Sequence, residues 1–209
     1  MNPFHRCHIY LDIKIILTHS PVEKGDTLKT TYKIDPAHSS AQFVVRHMMI
    51  TNVRGGFSSV QGTIEYDPDN PTETRIDVTI DASKINTVDE QRDTHLKSPD
   101  FLHVEQHPAI TFKSKKIARA GEGEWKITGD LTIHGVTREV VLNADGPTPE
   151  GKDPFGNTRI GASASTKIKR SDFGLTWNAA LETGGFLVGD DVRIELEVSA
   201  IRSESAVAA

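Results

Sequence analysis

Ser40-Ala41-Gln42-Phe43-Val44-Val45-Arg46-His47-Met48-Met49, with Asn52-Val53-Arg54-Gly55-Gly56-Phe57 just beyond it, decides how this chain is read. Side chains alternate between the two faces of a strand. Ala41, Phe43, Val45, His47 and Met49 therefore share one face, and Gln42, Val44, Arg46 and Met48 the other. The first face is apolar apart from one imidazole, and Met49 adds a soft, adaptable end to it. Such a face suits the inside wall of a β-barrel that touches a long apolar ligand. Gly55-Gly56 supplies permissive backbone, which predicts a bulge or a close approach.

The pattern repeats outward from this stretch. Before it, Tyr32 and Ile34 alternate into the turn cluster Asp35-Pro36-Ala37-His38-Ser39, where Pro36 fixes its own φ and keeps Asp35 out of the helical region. After it come Val60, Ile64 and Tyr66, stopped by Asp67-Pro68-Asp69-Asn70-Pro71. Ile76, Val78, Ile80 and Ala82 then alternate with Asp77, Thr79 and Asp81, a half-buried strand with a solvated outer face. Beyond Pro108, Ile110 and Phe112 share a face, as do Trp125, Ile127, Gly129, Leu131 and Ile133. His134-Gly135 has the length of a two-residue hairpin turn, returning into Val136, Arg138, Val140, Leu142 and Ala144. Two more runs follow: Ile160, Ala162, Ala164, Thr166 and Ile168, then Val192, Ile194, Leu196, Val198 and Ala200. The first of these is a wall of small residues, and such a wall leaves room inside a barrel. One helix interrupts the strands. Thr87 is placed to cap it, with Glu90 three residues on completing a capping box, and it runs to about Lys97, before Ser98-Pro99. The fold class is all-β: an extended, lipocalin-like, antiparallel eight-stranded β-barrel with a short helical insertion acting as lid or plug.

At 209 residues the chain suits one domain, and its net charge of −5 offers no basic track for nucleic acid. The barrel is assigned to residues 31–202, with an extension over 1–30 and a frayed tail over 203–209. The extension reads as an extra strand, with Ile9, Leu11, Ile13 and Ile15 on one side, as a disordered segment, or as the product of an upstream start codon. Asp12 and Lys14 break its apolar run and no small-residue cleavage site follows, so neither a secretory signal nor a membrane span is read there. The expected location is the cytoplasm, or the periplasm if the natural start differs. The single cysteine, Cys7, has no partner for an intramolecular disulfide.

An ordered set of segments resembles the YceI-like family. It comprises Tyr32 to Ser39, Phe43 to His47, Gly56-Phe57, Arg92 to Phe101, Pro108 to Phe112, Gly129 to Thr137, and Arg170 to Gly174. The resemblance covers about Thr31 to Arg202. It implies a barrel with a long internal tunnel for polyisoprenoid chains, including prenyl pyrophosphates and prenylated quinones, or for other long amphiphiles. It also implies a homodimer and no general catalytic mechanism.

The tunnel candidates are Phe43, Val45, His47, Met49, Phe57, Phe101, Phe112, Leu131, Ile133 and Phe173. A tail of five-carbon units would be held by burial of apolar area, about 25 cal/mol per Å². His47 reads either as a donor to a quinone oxygen or phosphate, or as a structural histidine bonded to a neighbouring strand. Arg170 and Asp172 are headgroup candidates, with an internal ion pair as the alternative. Arg92 and Asp93 read as ties between the insertion and the barrel rim, and His134 and Gly135 as turn residues only. Asp93, His95, His103 and His107 do not follow a known metal-ligand spacing, so no metal is expected. No cofactor and no catalytic residue is assigned. The expected function is non-enzymatic binding, transport or storage of a long isoprenoid-type lipid. The alternatives are an enzyme acting on an amphiphile through His47 or His95, and a dimeric scaffold with a solid core.

Overall fold

Strict alternation of apolar and polar residues, punctuated by turn clusters, builds twelve strands and one helix in the computed structural model, which describes residues 29–182 and 184–203. The strands are β1 (Thr30–Ile34), β2 (Ser40–His47), β3 (Thr51–Phe57), β4 (Val60–Tyr66), β5 (Arg75–Asp81), β6 (Ile85–Asn86), β7 (Ala109–Arg119), β8 (Glu124–Ile133), β9 (Val136–Asp145), β10 (Gly151–Lys152), β11 (Thr158–Lys169) and β12 (Val188–Arg202). The helix α1 spans Glu90–Lys97, between β6 and β7. The readings for residues 1–28 and for the tail after Ser203 lie outside the described residues.

Hydrogen bonding runs β11-β9-β8-β7-β5-β4-β1-β12, and β12 pairs back onto β11, closing an antiparallel barrel of eight strands. Closure removes the unpaired edges that an open sheet would expose. Three of its walls are longer than one strand. The fifteen-residue β12 pairs with β11 along one side. On its other side it pairs first with β2, up to Glu197↔Ser40, and then with β1, from Ala200↔Ile34. β1 and β2 are thus one wall broken at Asp35–Ser39. Ser39 mends the break, because its hydroxyl donates to the Ser199 carbonyl and accepts from the Ser199 N–H. β3 with β4, and β6 with β5, continue alongside in the same way. These bends make the barrel longer than its individual strands.

α1 begins differently from the capping box read in the sequence. Asp89 is the N-cap, accepting from the Arg92 N–H at 2.9 Å. Thr87, 4% exposed, instead joins the helix to the barrel. Its N–H and hydroxyl donate to Asp93, while its hydroxyl and carbonyl accept from the Arg92 guanidinium. The helix ends at Lys97, before Ser98-Pro99. Most core residues of the barrel strands form one cluster with Leu102 and Phe173, and Tyr32, Ile160 and Ala200 form a second.

Candidate functional site

Inward-facing residues of β12 and β2 are only half-buried, Ile194, Leu196, Val198, Phe43 and Val45 among them, because they face a cavity instead of other side chains. That cavity holds about 270 Å³, where a single water needs roughly 10–15 Å³. A solid core is therefore not what the barrel encloses. Its wall is almost wholly aliphatic and aromatic. Gln42, Thr111, Ser163, Thr166 and Arg170 are the polar exceptions among the lining residues.

Seven of the sequence candidates meet at this wall: Phe43, Val45, Phe57, Phe101, Phe112, Leu131 and Ile133. Ala162, Ala164 and Thr166 of β11 stand there too, as does Ala144 of β9. Gly55 lets the Phe43 ring lie flat against β3, since a Cβ at that position would sit 2.5 Å from the Phe43 Cζ. The approach is a contact and not a bulge, for the β2–β3 register runs unbroken from Ala41↔Phe57 to His47↔Thr51. Leu96 of α1, Phe101 and Leu102 close one flank, so the insertion is part of the tunnel wall.

Three candidates lie elsewhere. β2 ends at His47, and Met48 and Met49 take left-handed backbone angles, φ 50° and 61°. The period of two stops there, so Met49 turns outward and is 56% exposed. His47 is paired between Val188 and Thr51 at the strand end, outside the lining. Phe173 is 1% exposed and packs in the core cluster, not on the cavity.

Of the two headgroup candidates, Arg170 lines the cavity and Asp172 is exposed to solvent. The two form no ion pair among the described residues. The Arg170 guanidinium donates instead to the carbonyls of Gly189 (3.0 Å), Leu175 (2.5 Å) and Trp177 (2.9 Å). Burial pushes its pKa down, and the Asp190 carboxylate works against that. Among the described residues Arg170 is the only charged one lining the tunnel, and it lies just past the end of β11. Beside that end the His95 ring N–H donates to the Asp100 carboxylate at 2.8 Å, and the ring packs edge-on to Phe101 and Trp177. At the opposite end a smaller cavity of about 80 Å³ follows, lined by Tyr66, Trp125 and Pro147 among others. Ile64, Ile76, Ile127, Ala144, Ala162 and Val198 line both spaces.

The sequence reading missed one cluster on the barrel rim. His103, His107 and His134 converge there although the loop and the turn that carry them are far apart in the chain. Burial, and then the neighbouring His107, hold the His134 imidazole below its ordinary pKa, against a Phe173 backbone contact that favours its proton.

Comparison with known proteins agrees with this architecture. The YceI-like domain model matches residues 32–200. The chain belongs to the YceI-like family. A UPF0312 protein of Staphylococcus aureus (strain N315) is 36% identical over 167 residues, which cover 79% of this chain and 94% of that protein. The YceI-like protein of Campylobacter jejuni, known from a crystal structure, superposes with a TM-score of 0.63 at 36% identity, covering 76% of this chain and 90% of that one. A polyisoprenoid-binding domain from Saccharophagus degradans shares the fold, with a TM-score of 0.61 at 15% identity over 84% of this chain and all of that one.

Proposed function

We propose that this YceI-like barrel binds a long isoprenoid-type lipid, a polyprenyl pyrophosphate or a prenylated quinone, and shields it from water without transforming it. The observation that carries the reading is the tunnel: about 270 Å³ enclosed by apolar side chains, with one arginine at one end. Apolar walls hold a tail by removing its area from water, at about 25 cal/mol per Å². Long, weakly featured contact of this kind needs no special residue and tolerates variation among them. In this reading the headgroup rests at the Arg170 end, the one place where a charged side chain joins the lining. Tail and headgroup thus have distinct places, as an amphiphile requires. The polyisoprenoid-binding domain of Saccharophagus degradans, built on the same fold, supports this choice of ligand class.

The test is direct. Protein purified without detergent is extracted with organic solvent and the extract analysed by mass spectrometry. A prenyl lipid is expected in the extract, and added prenylated quinone or polyprenyl pyrophosphate is expected to raise the Tm. An empty extract together with an unmoved Tm removes the reading.

A further inference from the structure

We propose that His103, His107 and His134 form a binding site for one divalent transition-metal ion of the Zn2+ class on the rim of the barrel. Their ligand nitrogens all lie within 4.8 Å of one another. Zinc–imidazole bonds of about 2.0–2.1 Å set tetrahedral nitrogens roughly 3.3 Å apart, so small ring rotations complete the site. The His107 N–H donates to the His103 carbonyl at 2.9 Å, which closes a tight loop that holds the two residues close. The pair sits in the irregular loop between α1 and β7, not on a helical face, so it is the docking of the loop, not a helical spacing, that brings the two rings together. His134 comes from the β8–β9 turn, and its ring meets that of His107 edge-on at 4.8 Å.

His103 holds a left-handed angle, φ 47°, in the loop, whereas the φ of 53° at His134 is what the two-residue β8–β9 turn requires. Gly135 leaves space for the incoming ring, because a Cβ there would lie 2.7 Å from the His107 Cε1. Among the described residues the buried Nδ1 of His134 has no close hydrogen-bond partner beyond the Phe173 backbone contact that favours its proton. Three imidazoles without a carboxylate suit zinc, copper or nickel and not calcium or magnesium. Three protein ligands leave the fourth position to water or a small anion. The ion would join the loop carrying Phe101 and Leu102, both in the tunnel wall, to the turn at the end of β8. The proposal stands apart from the lipid reading, since the metal can be titrated with no lipid present.

The experiment uses the whole chain stripped with a chelator, then titrated with Zn2+ and Co2+, with Mg2+ as control. One equivalent of Zn2+ is expected to bind and raise the Tm, and Co2+ is expected to give the visible absorption of a tetrahedral nitrogen site. His103→Gln lies on the loop, away from the hairpin turn, and is expected to weaken Zn2+ at least tenfold while leaving the metal-free Tm in place. His134→Asn is expected to weaken it likewise. His5, Cys7 and His8 also carry ligand atoms, so a His5→Ala, Cys7→Ser, His8→Ala variant is titrated in parallel and is expected to bind unchanged. The proposal is overturned if the whole chain binds no stoichiometric Zn2+, if His103→Gln binds it as well as the parent, or if the N-terminal variant loses it.

Discussion

Arg159 ties three segments at one rim of the barrel. Its guanidinium donates to Asp35 in the β1–β2 break and to Asp153 in the β10–β11 turn, each at 2.6 Å, and to the Ser199 hydroxyl at 3.2 Å. His38 adds a 2.8 Å contact to Asp35. The Arg159 bond, and then His38, draw the Asp35 pKa from 3.8 to about 2. Asn157 and Arg159 lower Asp153 in the same sense. A carboxylate depressed in the folded state stabilises the fold above its unfolded pKa and stops doing so as pH falls through the folded one. Stability is therefore expected to decline from about pH 4 down to about pH 2. Arg159→Ala is expected to flatten that decline, as read from urea unfolding at a series of pH values. Arg170 makes the other residue-scale case. Arg170→Met strands two loop carbonyls and one of β12, and unfolding is expected to become easier by on the order of 1–3 kcal/mol. The loss is expected alongside weaker capture of a phosphate-bearing lipid than of an uncharged one.

Elements show which patterns are self-sufficient. α1 has no buried residue and depends on its cap and on the Thr87 contacts. Asp89→Ala is expected to cost about 0.5–2 kcal/mol, felt locally. Hydrogen exchange should quicken in α1 and stay slow in β7 and β8. β11 sets the width of the tunnel. Ala164 stands opposite Leu196 on one side and Ala144 on the other. Ala164→Phe is expected to place a ring in the cavity, keep the fold and reduce lipid binding at least tenfold in a fluorescence titration. The strands were legible because alternation is local. The face of Ile127, Leu131 and Ile133 can be counted off the residues, as can the two-residue turn after it. Met49 was not, because the period says nothing about where a strand stops, and only the left-handed angles at Met48 and Met49 end it. The cap was misplaced for a related reason: Thr87 and Asp89 both have capping side chains, and the barrel contact of Thr87 decides between them. The three histidines were invisible as a group because their meeting depends on how a loop and a distant hairpin turn are docked.

At the scale of the whole molecule, binding and stability are one equilibrium. A lipid that enters only the folded barrel adds stability with its concentration, about 2.7 kcal/mol at a hundredfold excess over Kd. Urea midpoints with increasing prenylated quinone are expected to climb logarithmically, and Ala164→Phe should abolish the climb. Barrel closure was read from the number of strands, but its manner was not. The double pairing of β12 with β1 and β2 depends on Ser39 standing in for a backbone rung, which no periodicity announces. The junction between the two internal spaces carries a last consequence. Ile64, Ile76, Ile127 and Val198, with Ala144 and Ala162, line both spaces, so the passage from one to the other runs between these side chains. Rotamers hop where strands cannot bend. An occupant one isoprene unit too long for the main chamber would meet a swinging door, and the molecule would gauge its cargo in steps.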